Sequence, residues 1–433
     1  MFQLETIVLI GSMIGLAPSV SVAQVGPIYM KAPLTMPDPN GVITAQRQSA
    51  HRLFRALTGI SLAIDDSRLK DMETLLKSGK TIEAERIATA DPLFYNNRVR
   101  DLARKMSTRA ESVRAPLSDF VATFVGVVRD SDTTPATQLL TGNFTYRADN
   151  TIIQNGGGTP VRMDEVDDIL SSNNHYADIQ ANNYSLKGVL KRVENQRYVS
   201  NNAAADIPMD QVAGLITSRA FLSAHADMGT NRRLVEFSFR QFMCAPITDW
   251  ADGSSPDDRV GRDVDRQPGG SPNKFLTTCK NCHANMDGLR GAFALVDYNA
   301  GNGRVSFMNT VPTNTNVNTN YKLNRNGDVY PQGFITRDNS FVNYANVGKN
   351  ADAFGWRSTT SGTGIAKFGE MLAKSRGFSR CMVKRVFTDV CKRAPASSED
   401  AVVRSLADQF EASNYHLRGL FEIVAGRPEC GIN

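Results

Sequence analysis

Apolar residues three or four positions apart recur along most of the chain, and this spacing is the period of amphipathic helices. The pattern is continuous in the first third of the chain and returns in its last part. It therefore predicts a mainly α fold. The predicted helical stretches are 45–129, 163–170, 186–193, 209–226, 232–243, 365–374, 378–391, 400–412 and 417–425.

Three segments interrupt the helical pattern and predict irregular, loop-rich insertions. Residues 130–162 contain glycine-rich turns, with short strands predicted over 145–153; residues 247–273 are polar; and residues 299–352 are rich in Asn, Gly and Thr. The predicted architecture is a helical multi-domain protein with a distinct central segment. Its predicted units are a signal peptide (1–23), an N-terminal helical domain (24–129), a second helical domain (130–250), a central segment with loops (251–355) and a C-terminal helical domain (356–433).

The N-terminus predicts export. Residues 6–16 are apolar, and the small-residue sequence Ser21-Val22-Ala23 follows, as at a signal-peptide cleavage site. The apolar run is shorter than the ~20 residues of a membrane span. Residues 1–5 depart from the pattern because they lack Lys and Arg. We expect a periplasmic or cell-surface protein with no integral membrane span after signal cleavage.

The net charge of the chain and the distribution of its basic residues say little about function. The formal net charge of +5 over 433 residues is small, and Lys and Arg form no long run. This pattern gives no support to nucleic-acid binding. It is typical of an ordinary solvated surface, and it also fits docking to an acidic redox partner.

The strongest chemical motif is Cys279-Lys280-Asn281-Cys282-His283. Two thiols three positions apart, followed directly by an imidazole, are the pattern for covalent attachment of a c-type haem. Each thiol forms a thioether with one vinyl group, and the histidine supplies a nitrogen ligand to the iron. We therefore expect one covalent haem c, with Cys279, Cys282 and His283 as its attachment site.

Two other uses of the motif remain open. A structural zinc site needs four ligands, and the next Cys and His after the motif are Cys381 and His416. A thioredoxin-like redox disulfide needs an alternating strand and helix context, which the pattern does not predict. If haem occupies two cysteines, the other four allow three pairings, of which Cys391–Cys430 is the preferred one.

The residues after the motif resemble a known family. The stretch CKNCHANMDGLRGAFALVD is similar to the cytochrome c segment of planctomycete-type cytochrome proteins, although Gly288 replaces the usual proline and Arg290 and Ala292 are extra. Weaker similarity extends from about Leu139 to the C-terminus. It implies a single c-type haem with flanking helical domains rather than a particular reaction. The matching positions are Met286, Asp287, Leu289, Gly291, Phe293, Ala294 and Leu295.

A second axial ligand to the iron has several candidates in the sequence. His225 is the first because it ends a predicted helix before the motif, and a surface or capping role is the alternative. Met286 is too close to His283 to reach the other face and is expected to pack. Phe275 and Phe293 flank the motif and are expected to line the haem pocket. Weaker candidates are Met228, Met308, Met371 and Met382, while His51, His175 and His416 are expected to be structural.

These features are compatible with three functions. The leading prediction is a monohaem cytochrome that transfers single electrons to unknown redox protein partners. The second is a haem-dependent oxidoreductase or peroxidase-like enzyme, although di-haem peroxidases need two such motifs and this chain has one. The third is a structural or interaction component of a cell-surface assembly.

Overall fold

A computed structural model describes residues 43–227, 229–310 and 330–431. The predicted signal peptide and the candidate ligand Met228 lie outside the described residues. The protein is mainly helical with only short strands, as the hydrophobic pattern predicts. In the described part of the chain, every helix is too short or too polar to cross a membrane.

The N-terminal helices begin and end at residues suited to those positions. The Thr44 hydroxyl caps the first helix by accepting from the Arg47 N–H, and Gly59 ends it in a left-handed conformation, with φ of 79°. Ser118 caps the fifth helix in the same way, through the Val121 N–H. The helices are α1 (Ala45–Thr58), α2 (Ser67–Lys77), α3 (Thr81–Ala90), α4 (Arg100–Ser107) and α5 (Asp119–Arg129), with a π-helical turn at Phe94–Val99.

The middle of the chain combines short helices with two pairs of β-strands. The helices are α6 (Gln138–Thr141), α7 (Asn150–Asn155), α8 (Asn174–Ala181), α9 (Leu186–Val189), α10 (Arg219–His225), α11 (Arg232–Phe242) and α12 (Ile247–Trp250), with a π-helical turn at Glu165–Leu170. The strands are β1 (Phe144–Ala148), β2 (Leu190–Glu194), β3 (Arg197–Ser200) and β4 (Ala203–Asp206). Both pairs, β1–β2 and β3–β4, are antiparallel.

Two predicted helices in this region are wrong in part. Over 186–193 only α9 is helical, because the chain then enters β2 and pairs with β1. Over 209–226 only α10 is α-helical. Gly214 interrupts that segment with φ of 51°, and a Cβ there would lie 2.3 Å from the Leu139 carbonyl oxygen. Close backbone contact and left-handed geometry therefore override the apolar period.

The central and C-terminal parts contain the motif and four long helices. Those four follow the prediction to within two residues at each end. The central elements are α13 (Pro272–Lys274), the π-helical turn Phe275–Cys279, α14 (Lys280–Met286), β5 (Val296–Asn299), β6 (Arg304–Phe307), β7 (Ser340–Val342), α15 (Gly348–Phe354) and β8 (Ser361–Thr363). The last helices are α16 (Gly364–Ala373), α17 (Arg376–Cys391), α18 (Asp400–Ala412) and α19 (Leu417–Ala425).

One large hydrophobic core joins the N-terminal and C-terminal helices. It contains buried residues from α1 through α19, and α19 packs against α1 and α3. Two disulfides brace this arrangement. The predicted Cys391–Cys430 bond is confirmed, with Cα atoms 4.7 Å apart, and Cys244–Cys381 links the end of α11 to α17 across 5.2 Å.

A buried acidic residue lies where α3 meets α19. The Glu85 side chain is inaccessible, and neither of its carboxyl oxygens has a hydrogen-bond partner among the described residues. Burial, and then the neighbouring Glu422 carboxylate, raises the pKa of Glu85 to about 8. Glu422 is itself buried and accepts a hydrogen bond of 2.7 Å from the Thr89 hydroxyl. Glu85 is therefore protonated in the folded protein at neutral pH.

This raised pKa predicts a loss of stability as pH increases. The folded chain retains the Glu85 proton up to about pH 8, whereas an unfolded glutamate releases it near 4.5. The free energy of unfolding should therefore fall between those pH values, by up to about 1.4 kcal/mol per pH unit. In Glu85→Gln this contribution should vanish, as measured by urea unfolding at pH 5, 7 and 9.

The matched control is Glu83→Gln, which removes an exposed carboxylate from the same helix. It should leave the pH dependence as it is in the unmodified chain. Equal slopes for Glu85→Gln and the unmodified chain would contradict the assignment.

Candidate functional site

The Cys279-to-His283 motif lies in one continuous helical segment. Ser271 caps its start through the Asn273 N–H, Pro272 occupies the first turn, and the segment continues through the π-helical turn into α14. Cys282 and His283 come three and four positions after Cys279 along this helix. Helical geometry therefore brings the two thiols and the imidazole to one side of it.

The two motif cysteines are the free thiols of the chain, since the other four form disulfides. Both are partly accessible. Cys279 packs against a small cluster made by Val260, Val264, Phe275 and Ala284, whereas Cys282 packs against the main core. Partial burial, and then Glu236 and Cys279, raises the pKa of the Cys282 thiol.

The imidazole of His283 is held from inside the protein by Asp287, one helical turn later. Nδ1 lies 3.4 Å from Oδ1 of Asp287, and the carboxylate is fully buried while the His283 side chain is 25% exposed. Among the described residues, none hydrogen bonds to Nε2, the other ring nitrogen. The histidine thus presents one nitrogen to a buried carboxylate and leaves the other free for a ligand.

Asp287 belongs to a buried ion-pair network that connects three segments. Arg232 at the start of α11 donates to Asp287 through Nε (2.6 Å) and Nη2 (2.7 Å), and to Asp263 at 2.5 and 2.9 Å. Arg290 donates to Asp263 at 3.3 Å, and the Gly261 N–H donates to Asp287 at 2.9 Å. We call Arg232, Asp263, Asp287 and Arg290 the buried quartet.

The electrostatics of the quartet favour its charged form. Burial alone opposes ionisation of Asp287, but Arg232 and Arg290 outweigh it and hold the pKa of Asp287 well below 3.8. Burial also opposes the charge of Arg232, yet its two carboxylate partners raise its pKa overall. Two positive and two negative side chains therefore balance within the protein interior.

Further hydrogen bonds fasten the loop before the motif to the motif helix. The buried Asn285 amide donates to the carbonyl oxygens of Asp252 and Asn281, both at 2.9 Å, and accepts from the Ser255 hydroxyl. The Asp252 N–H donates to the Asn281 carbonyl at 3.0 Å. These hydrogen bonds therefore hold α14 to the loop at Asn281 and Asn285.

The two phenylalanines expected beside the motif have different surroundings. Phe275 is buried in the cluster that Cys279 joins, and the Arg266 guanidinium lies 4.5 Å from its ring centre. Phe293 is in the main core, edge-on to Phe368 at 5.0 Å, and its carbonyl accepts from the Asn231 amide. Phe275 is thus placed beside the first thiol, whereas Phe293 contacts the core.

His225, the candidate second axial ligand, is an enclosed imidazole. It is 2% exposed, stacks on Phe237 at 4.1 Å and meets Phe221 at 4.5 Å. Within the described chain, neither ring nitrogen has a hydrogen-bond partner. Burial, and then Arg109 and Arg233, lowers the pKa of His225 to about 3. A neutral imidazole with two unpaired nitrogens is suited to coordinate a metal.

His225 and Cys282 have adjacent residues of α11 as neighbours. Phe237 stacks on His225, and the preceding residue, Glu236, acts electrostatically on Cys282. One turn of α11 therefore contacts His225 and acts electrostatically on Cys282.

The other histidine and methionine candidates have ordinary structural surroundings. His175 bonds through both ring nitrogens, to the Ala148 N–H and the Arg162 carbonyl, and His416 caps α19 and pairs with Asp132. His51 lies on α1, away from the motif in sequence. Among the methionines considered as haem ligands, Met286, Met371 and Met382 are buried, while Met308 packs against Ala294 and Leu295.

Sequence reasoning missed three members of the quartet, Arg232, Asp263 and Arg290, as parts of the site. Arg232 is 55 residues from Asp287 along the chain, so no local pattern connects them. The spacing of His283 and Asp287 was a usable signal, because residues four apart on a helix are neighbours. That spacing alone would have pointed to Asp287 as the partner of the imidazole.

The described residues contain no group of three or more His, Cys, Asp or Glu side chains arranged to hold a metal ion. A haem bound through the motif needs a single histidine ligand from it, so the finding does not bear on that cofactor. The chain matches no protein-family model, no curated protein and no solved structure.

Removing Arg232 should destabilise the protein strongly. Arg232→Met retains the apolar stem but leaves Asp263 and Asp287 with Arg290 as their remaining cation in the quartet, and an uncompensated buried charge typically costs about 3–5 kcal/mol. Chemical denaturation of the purified full chain measures the change in the free energy of unfolding.

Arg240→Met provides the matched control on the same helix. Arg240 pairs with Glu236 at 2.6 Å but is 38% exposed, so its loss should cost about 1 kcal/mol or less. Similar losses for the two variants would show that the quartet is not the main fastening of α11 to the motif helix.

Proposed function

We propose that the protein is an exported monohaem c-type cytochrome that transfers single electrons through haem bound to Cys279, Cys282 and His283. The observation that carries this proposal is the arrangement of α14 and the turn before it. One side of this helical segment holds two free thiols and an imidazole, and a buried carboxylate orients that imidazole from within. When bound, haem supplies an iron that alternates between two oxidation states.

The surroundings of the motif fit this cofactor. Attachment needs accessible thiols, and both cysteines are partly exposed. Each thiol adds across one vinyl group, forming a carbon–sulfur bond while its hydrogen passes to the neighbouring vinyl carbon. Leu276, three residues before Cys279, is 49% exposed. A haem ring beside the Cys279 thiol would cover the Leu276 side chain and remove its apolar surface from water.

The orientation of His283 supports ligation. Histidines that bind metals commonly donate their second ring N–H to a carboxylate or carbonyl group, which fixes the tautomer and the direction of the ring. Asp287 is placed for that role through Nδ1. The free Nε2 is then the nitrogen available to iron.

The cysteine pairing supports an oxidising compartment. Disulfides persist mainly in exported proteins, and the chain has two, Cys244–Cys381 and Cys391–Cys430. The motif cysteines are three residues apart and take no part in either bond. This division is expected if haem attachment uses the motif thiols.

His225 is the residue that would hold the iron together with His283. Its support is a neutral, buried imidazole with both nitrogens unpaired in the described chain, stacked on Phe237, whose neighbour Glu236 raises the pKa of the Cys282 thiol. A second strong ligand would exclude exchangeable small molecules from the iron. It would thereby favour electron transfer to protein partners over catalysis.

Haem attachment should depend on the motif cysteines. The full chain, produced in a bacterium that exports and matures c-type cytochromes, should give a pyridine haemochrome spectrum of one haem per chain and a matching mass increase. Cys279→Ala with Cys282→Ala should yield colourless protein. A colourless unmodified chain with the mass of the bare polypeptide would overturn the proposal.

The matched control replaces two cysteines outside the motif, Cys391→Ser with Cys430→Ser. This pair should lower stability, because it removes a disulfide that closes a 39-residue separation. It should nevertheless retain covalent haem. If the Cys391→Ser with Cys430→Ser variant lost haem while the Cys279→Ala with Cys282→Ala variant kept it, folding rather than the motif would limit attachment.

Replacement of His225 should open the iron to carbon monoxide. In the unmodified ferrous protein, carbon monoxide should leave the absorption spectrum unchanged, because His283 and His225 would together hold the iron. His225→Leu places an apolar side chain in the aromatic enclosure, so the fold should survive and carbon monoxide should bind. His416→Ala, which removes a helix cap, is the control and should behave like the unmodified protein.

Two outcomes would contradict this assignment. An unchanged spectrum with carbon monoxide in His225→Leu would exclude His225 as the ligand. Carbon monoxide binding to the unmodified protein would indicate an open iron, which favours an enzyme over an electron carrier.

A further inference from the structure

The two side chains of the His283–Asp287 contact differ in their exposure to solvent. The imidazole is 25% exposed, whereas the carboxylate four residues later is fully buried. The ring therefore points Nδ1 into the protein, towards Oδ1 at 3.4 Å. An ionised carboxylate accepts hydrogen bonds and donates none, so this contact favours the tautomer with the proton on Nδ1.

Hydrogen bonds to both carboxylate oxygens restrain Asp287 in this position. Arg232 binds both of its oxygens, at 2.6 and 2.7 Å, and the Gly261 N–H adds a contact of 2.9 Å to Oδ2. Arg232 is in turn held by Asp263 through both terminal nitrogens. The direction of the carboxylate is thus set by three segments of the chain.

A fixed anion behind an imidazole changes how the other nitrogen binds a metal. Partial withdrawal of the Nδ1 proton increases the electron density at Nε2, and a stronger donor stabilises the more highly charged metal. For iron, the stronger nitrogen donor therefore stabilises the ferric state relative to the ferrous state. The positive charges of Arg232 and Arg290 lie near the same carboxylate. They reduce its effect on the electron density at Nε2 without removing that effect.

We infer that Asp287 is a positioning residue, which fixes the Nδ1–H tautomer of His283 and lowers the reduction potential of the metal that His283 binds. The effect on the reduction potential rests on the proposed haem attachment. The effect on the His283 tautomer concerns the chain alone. The two can therefore be tested separately.

The redox test compares Asp287→Asn with Asp263→Asn in the haem-loaded protein. Both variants remove one negative charge from the quartet, but only Asp287 contacts His283. Asp287→Asn should shift the reduction equilibrium about tenfold towards the ferrous state, which for one electron is about 59 mV. Asp263→Asn should shift it by clearly less.

The tautomer test uses the full chain without haem. In ¹⁵N-labelled protein, the His283 ring should show the proton on Nδ1, and in Asp287→Asn it should show a mixture of tautomers. Asp263→Asn should retain the Nδ1–H form. This measurement does not depend on cofactor attachment.

The outcomes separate the two claims. If the unmodified chain acquires no haem, the proposed function fails, and the tautomer measurement still decides the role of Asp287. If haem is present and the potential is unchanged in Asp287→Asn, or equally raised in both variants, the inference is overturned. An unperturbed His283 tautomer in Asp287→Asn would also overturn it.

A folding failure of Asp287→Asn would not end the test. The double variant Asp287→Asn with Arg232→Met removes one charge of each sign and leaves Asp263 paired with Arg290. Matched removal of a buried ion pair is often tolerated. Its potential should again lie above that of the unmodified protein, and an equal or lower value would contradict the inference.

Discussion

The interaction on which the site depends is the double bridge made by Arg232. This side chain joins Asp287 on the motif helix to Asp263 on the preceding loop, and it is anchored in α11. Through it, three segments that are distant in sequence meet at the inner side of the motif. Without this bridge, the carboxylate that faces His283 would lose its guanidinium contacts and keep the Gly261 N–H on Oδ2, so the imidazole would face a less firmly held partner.

The balance of charge explains why the quartet has four members. Arg232 with two carboxylates would leave one net negative charge in the interior, where an unpaired ion is costly. Arg290 supplies the missing positive charge, although burial lowers its pKa and its Nε and Nη2 atoms have no hydrogen-bond partner in the described chain. Its presence is thus better explained by charge balance than by hydrogen bonding. Buried ions of this kind are expected to fix a specific geometry rather than to increase stability.

The sequence predicted local features well and long-range contacts poorly. The helices α17 to α19 and the Cys391–Cys430 bond followed from apolar spacing and from the position of each cysteine near a helix end. The helical prediction failed at Leu190, where pairing with a distant strand decides the structure. It also failed at Gly214, where the Leu139 carbonyl packs too closely for any side chain. The same division holds for the candidate site, because the thiols and His283 are neighbours in sequence whereas Arg232 and Asp263 reach Asp287 only through the fold.

The two sides of α14 differ in a way that suits the proposed function. Covalent attachment requires thiols that an assembly system can reach, whereas a defined reduction potential requires an imidazole that cannot move. The structure has both properties within a few residues: the thiols are partly accessible, and the Asp287 contact lies on the buried side. A histidine held only by exposed groups would leave its orientation to solvent. The burial of Asp287 is therefore the feature that makes the motif a site of fixed geometry rather than a flexible tether.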